Sequence, residues 1–326
     1  MHLETAFRRA CQLLYESLLA SAPDSPVTAI DVEPLARIMA FVTSLGSDRY
    51  HEACHTLISV PLPYRTSTAL KAADEVRQLL NIDDTMPILS LSSRLSDRLG
   101  TFVFPIDSPC ILTASAVFEG SAFLFVSSRL GYEKLSACAR AFATLLALSS
   151  RNHSDGLAFV ETVATAPRRG GPPSTFAFNF SCQLLVPPRG LAVSLRKVRQ
   201  ILKISGASIG DVELLYVSRI FGVTFSIVAR SCERAQLLPP GGAQALEQYL
   251  VENFGGPEQR ANRLELPARP QIDIVSVPRI LMPVVAEHID SGVISNADAA
   301  FALGTTEAQL SSLLNPKEGP SKGFWQ

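Results

Sequence analysis

The chain is short of charge and of any regular cysteine pattern, and each shortage removes a class of function. Charged residues are 18% of the 326 positions and nearly cancel, leaving a formal net charge of −1. A chain so balanced has no global attraction for nucleic acid or an anionic membrane, so such a role would have to rest on local clusters. Cys11, Cys54, Cys110, Cys138, Cys182 and Cys232 occur without a CxxC pair or even spacing. That pattern speaks against a disulfide framework and reads as free thiols in a reducing compartment. No apolar run approaches the roughly 18 residues needed to cross a bilayer. There is no phosphate-binding glycine loop and no G-x-S-x-G elbow, so nucleotide and serine-hydrolase chemistry have no motif to stand on. The opening MHLETAFRRACQLLYESLLASAPD imitates a leader, but Glu4 and Glu16 interrupt it. An amphipathic first helix is expected instead, in a cytoplasmic protein with no membrane partner.

What the chain does have is apolar residues, 47% of the total, enough for a sizeable core. Residues 1–82 read as a helical N-terminal region, with Leu35, Ile38, Met39 and Val42 at helical spacing. Near residue 85 the texture changes to short β-branched and aromatic runs: PILSLSS, GTFVFPI, PCILTASAVFE and AFLFVSS. They predict a small sheet with a hairpin turning at Glu119–Ser121. Helices are expected over YEKLSACARAFATLLALSS and TFAFNFSCQLLVP, with a long loop, RNHSDGLAFVETVATAPRRGGPPS, between them. Residues 194–237 read as helices, 251–272 as a linker, and 273–326 as a small helical piece with a polar tail. The expected fold class is α+β.

Two stretches have the form helix, glycine, threonine-capped helix. They are Leu214–Leu238, with Gly222 and Thr224, and Ile294–Leu314, with Gly304 and Thr305–Thr306. Both are helical corners, and both are candidates for DNA reading. From residue 165 to 235 there are ten Lys/Arg against three acids, a net of 10 − 3 = +7. The cations in it are Arg168, Arg169, Arg189, Arg196, Lys197, Arg199, Lys203, Arg219, Arg230 and Arg234. Such a basic stretch suits DNA, RNA or an acidic protein surface, and equally a solvated helix face.

The string His51-Glu52-Ala53-Cys54-His55 has the spacing by which a zinc peptidase presents two imidazoles and a general base on one helix face. Glu75, 20 residues after His55, is the nearby candidate for a third ligand. The alternative is an ordinary helix with partly exposed imidazoles.

The order of elements from 85 to 240 resembles the ImmA/IrrE family of bacterial metallopeptidases. Its members place a zinc helix with an HELGH-type motif after a short sheet. A second helix carries a ligand Glu in an E-x-x-A-N-x-F-A-A-x-L-L-M-P pattern, and a helix-turn-helix-like subdomain follows. STFAFNFSCQLLVP resembles that second helix through Ala177, Phe180, Leu184, Leu185 and Pro187, and VSRIFGVTFSIVARSCERAQLLP (217–239), from the helix-turn-helix-like segment 212–238, the subdomain. The resemblance implies a pseudopeptidase domain over 83–250. On the family register the two histidines fall at Ala139 and Ala143, the general base at Arg140 and the Glu ligand at Ser174. Alanine has no donor atom, and an arginine there would repel a divalent ion.

The expectation is therefore a catalytically inactive binding or regulatory module without a cofactor. By resemblance its partner would be an HTH-type transcriptional regulator, or DNA, in a bacterial stress, phage or mobile-element pathway. Arg189, Arg196, Lys197, Arg199, Lys203, Arg219, Arg230 and Arg234 are the candidate contacts, and a homo-oligomer is left open. The rival readings are a zinc metallopeptidase using His51, Glu52, His55 and Glu75, and a transcription factor in its own right.

Overall fold

Every residue of Ser121–Ser127 is buried, the mark of a strand covered on both faces. The computed structural model describes residues 2–21, 28–46, 66–149, 156–163, 176–206 and 208–315. In it this strand, β3, lies inside a four-stranded sheet of order β1-β3-β2-β4. β1 is Phe102–Ile106, β2 is Ile111–Phe118 and β4 is Leu157–Thr162. β1 runs parallel to β3, while β2 is antiparallel to both β3 and β4. The β2–β3 hairpin turns where expected, at Glu119 and Gly120. Both have positive φ, 47° and 75°, the two-residue geometry that matches the twist of paired strands.

Fourteen α-helices surround this sheet among the described residues, so the fold is α+β. The first are α1 (His2–Ser21), α2 (Ala29–Ser44), α3 (Thr66–Leu79), α4 (Leu91–Leu99) and α5 (Lys134–Ser149). Then come α6 (Phe176–Leu185), α7 (Pro188–Leu202), α8 (Asp211–Phe221), α9 (Phe225–Arg234), α10 (Gly242–Phe254) and α11 (Pro257–Arg263). The chain continues with α12 (Met282–Asp290), α13 (Asn296–Ala302) and α14 (Glu307–Leu314). No single helix among the described residues is long and apolar enough to cross a membrane.

Strand side chains alternate between faces, and the sheet thereby separates two cores. Val103, Leu124 and Val126 face the larger one, built with α3 to α11. Phe102, Phe104, Phe123, Phe125 and Val160 face the second, built with α1, α2 and the helices after residue 277. On that face Phe102 and Phe123 lie 5.4 Å apart between ring centres, and Phe104 and Phe125 5.9 Å. These cross-strand aromatic pairs fix the β1–β3 register as well as filling space.

Three local expectations are corrected. PILSLSS does not form a strand: from Leu91 it enters α4, where Leu91, Leu95 and Leu99 are buried at i, i+4 spacing. The stretch expected as a loop contains β4, an edge strand anchored by Ser17 Oγ donating to Ala158 O at 2.9 Å. Residues 251–272 are not a bare linker. They hold the end of α10 and all of α11, with Ala261 fully buried. Arg269 of this segment donates to the carbonyls of Ser218 and Val223 and pairs with Glu258 at 2.6 Å. It thus satisfies two carbonyls around the Gly222 turn that ends α8.

Candidate partner-binding site

Helix α7 follows Pro187, with Pro188 at its first turn, a position where proline costs no hydrogen bond. Its inner face is Leu191, Ser194, Leu195 and Val198, all buried in the larger core. Its outer face carries Arg189, Arg196, Lys197 and Lys203, all exposed. Arg189, Arg196 and Lys203 are seven residues apart in turn, so they line up along one side at about 10 Å intervals. None of the four makes an ion pair within 4.0 Å among the described residues, though Asp83, whose carboxyl is held below the usual carboxylate range chiefly by hydrogen bonds from Thr85, lies near enough to Arg189 for its charge to help. Ile201, one turn after Lys197 at the edge of this face, has 61% of its surface exposed. Lys203 closes the helix in the left-handed region, φ 53°, where a cation also complements the helix dipole.

The other four candidate cations do internal work. Arg199 faces Glu213 of α8 at 3.7 Å. Arg219 is buried and pairs with Glu258 at 3.0 Å, and Arg230 pairs with Glu233 at 3.2 Å. Arg234 donates to Asn179 O and Gln183 Oε1, and Gln183 donates on to Asp74 Oδ1 at 2.7 Å, which ties α9 through α6 to α3. Burial holds the Arg219 and Arg234 guanidinia below the usual arginine range. The +7 stretch is thus divided in space: four cations on the outer face of α7, four inside a helical scaffold. Arg168 and Arg169 lie outside the described residues.

The positions aligned with the family's zinc site sit on α5. Ala139 and Ala143 are completely buried on the helix whose Phe142 packs against Phe180 of α6, ring centres 6.1 Å apart. Arg140 is half-buried, and its Nε is enclosed without a hydrogen-bond partner among the described residues. Ser174 lies outside the described residues, as do His51, Glu52 and His55. Glu75 is on α3, exposed, and faces Lys71 at 3.7 Å one turn away. Among the described residues no group of three or more His, Cys, Asp or Glu side chains is placed to hold a metal. Burial pushes the thiols of Cys138, Cys182 and Cys232 up to about 12, so each is neutral at physiological pH and a poor nucleophile.

The two helical corners differ from what groove reading needs. At Gly222 (φ 65°) α8 and α9 meet at 112°. Yet Phe225, Ile227, Val228, Ala229, Ser231 and Cys232 of α9 are buried, and no residue of α9 is fully exposed. A recognition helix must offer a free face to base edges, and α9 has given its faces to α6, α8 and α10. The second corner, α13 and α14, is capped as expected by Thr306. From 280 to 315, however, the sequence holds Glu287, Asp290, Asp298 and Glu307 and neither Lys nor Arg, a charge balance that opposes contact with phosphates.

Sequence reasoning missed the acids and arginines that lock the scaffold, Glu258, Arg260 and Arg269, because they lie in the stretch read as a linker. Alternating charges around PEQRANRLELPAR were the available signal. No family model, no curated protein and no solved structure matches the chain.

Proposed function

We propose that this chain is a non-catalytic binding module that grips an acidic, partly apolar helical surface of a protein partner through the outer face of α7. The carrying observation is the exposed set Arg196, Lys197 and Lys203, without ion-pair partners among the described residues, with Arg189 at the start of the same helix and the exposed Ile201 one turn after Lys197. An apolar contact within a charged rim is the usual composition of a protein interface. The covered faces of α9 and the acidic second corner weigh against duplex DNA as the partner.

The proposal keeps the reading of a degenerate ImmA/IrrE-type pseudopeptidase in the bacterial cytoplasm, acting on an HTH-type regulator. Supporting it are the element order, with sheet, α5, α6 and the α8–α9 corner in sequence, and alanines enclosed where the family would have ligands. The vestigial site takes no part in binding, because Ala139 and Ala143 are sealed in the core. Occupancy of the partner is the mechanism.

The test uses a fluorescent amphipathic peptide of alternating Glu and Leu faces, and a duplex DNA of similar charge as its rival. R196E/K197E is expected to weaken the peptide at least about tenfold, since each exposed pair is worth up to about 1 kcal/mol and reversal adds repulsion. Unchanged peptide affinity, or tighter binding of duplex than of peptide by the parent chain at physiological salt, overturns the reading.

A further inference from the structure

The same face of α7 has a complementary surface elsewhere on the chain. The α12–α13 end of the second core exposes Glu287 and Asp290 three residues apart on α12, and Asp298 on α13. Glu307 opens α14 beside them in sequence. Within this acidic set stand two large apolar residues, Val293 with 68% and Phe301 with 66% of their surface exposed. One cation, Arg37 of α2, lies over the Phe301 ring at 4.0 Å. Exposed apolar side chains of this size, rimmed mainly by acids, mark an interaction surface. On α7 the charge is inverted, with the exposed Ile201 one turn after Lys197 at the edge of a cationic face.

The two surfaces cannot satisfy each other within one molecule. α7 is built on the larger core and α12–α14 on the second, and the sheet lies between the two cores.

We infer that the occupant of the α7 face is the acidic α12–α13 surface of a second copy, giving head-to-tail self-association of the chain. This rests on the proposed role of α7 as a partner-binding face and names one partner for it. Because the two patches belong to cores on opposite sides of the sheet, one copy uses them on different neighbours, and the contact closes into a ring or extends as a chain of copies. A protein partner with an acidic helix would then compete with self-association for α7.

Sedimentation velocity of the full chain tests it, at roughly 20 mM and roughly 300 mM salt, since screening strips exposed charge pairs of most of their strength at the higher value. Assemblies larger than a monomer are expected at low salt and are lost at high salt. R196E/K197E and E287K/D290K should each sediment as monomers, with far-ultraviolet circular dichroism like the parent's. An equimolar mixture of the two variants should restore assembly, because the reversed α7 of one meets the reversed corner of the other. A parent that stays monomeric at low salt, or a mixture that stays monomeric, overturns the inference. If the Glu/Leu peptide still binds the parent in that case, only the second copy is lost as a partner. If the peptide fails as well, the α7 reading falls with it.

Discussion

Arg77 offers a sharp test of how the larger core is held. It lies on α3 with no exposed surface, yet carries a charge. Its guanidinium donates to Leu184 O at 2.5 Å, to Met86 O at 2.9 Å and to Asp83 O, and Nε faces Asp84 at 3.7 Å. The sequence explains why Leu184 O needs it. In a continuing helix that carbonyl would accept the N–H of residue 188, but residue 188 is proline and has none. Arg77 supplies the missing donor from another helix. Arg77→Met keeps most of the volume and removes the donors. Three hydrogen bonds from a charged group, at about 1.5–3 kcal/mol each, exceed what removing a buried charge returns, so a net loss of about 3–5 kcal/mol is expected. Arg77→Lys should fall between, because a single ammonium cannot reach three separate carbonyls. Gln78→Ala, at the exposed neighbouring position, should stay within about 0.5 kcal/mol. Urea unfolding followed by circular dichroism at 222 nm reads all three. If Arg77→Met unfolds within about 1 kcal/mol of the parent, the carbonyls find other donors and the argument fails.

Two further expectations bear on chemistry rather than scaffold. The thiols of Cys138, Cys182 and Cys232 ionise near 9.0 when unfolded and are pushed to about 12 by burial. Between those values only the unfolded chain sheds the protons, so stability is full below pH 9 and falls as pH rises through the window, by about 1.4 kcal/mol per thiol per pH unit. Cys182→Ala should make the decline in urea midpoint from pH 9 to 11 shallower; an unchanged slope would show that its thiol ionises in the native state as well. For the HEACH string, protein purified without a histidine tag should contain far less than one zinc per chain. A stoichiometric zinc that disappears in His55→Ala would replace the non-catalytic reading with a metallopeptidase.

The sequence was most legible where pattern and tertiary environment agree. The Glu119–Gly120 turn could be placed because only a tight hairpin accounts for a glycine between two apolar runs. Helix α6 could be ended because Pro187 and Pro188 stop any helix. PILSLSS misled because a seven-residue window cannot distinguish alternation from the leading edge of a helix whose next leucines, Leu95 and Leu99, come later. β4 was missed because LAFVET is short and lies between long polar stretches, and its pairing partner, β2, is some 40 residues earlier. Pairing at that separation leaves no local trace. The second core was hidden for the same reason: the apolar side chains of α2 and of the C-terminal helices show helical spacing but not which face of the sheet they will cover.

Charge shows the same division between sequence and space. A count of +7 over residues 165–235 treats Arg219 and Lys197 alike, although one is sealed against Glu258 and the other points into solvent. Two of the acids that neutralise the stretch lie outside it: Asp74 lies more than a hundred residues before the Gln183 that joins it to Arg234, and Glu258 well after Arg219. Local composition therefore overstates the field such a region projects, and only cations left unpaired after folding can steer a partner. The consequence for experiment is specific. Charge reversal at Arg199 removes an inter-helix pair with Glu213 and leaves a buried carboxylate facing another, so a loss of binding there reports damage to the scaffold. Reversal at Arg196 and Lys197, one turn away on the outer face, perturbs no pair among the described residues, and a loss of binding there reports the surface itself.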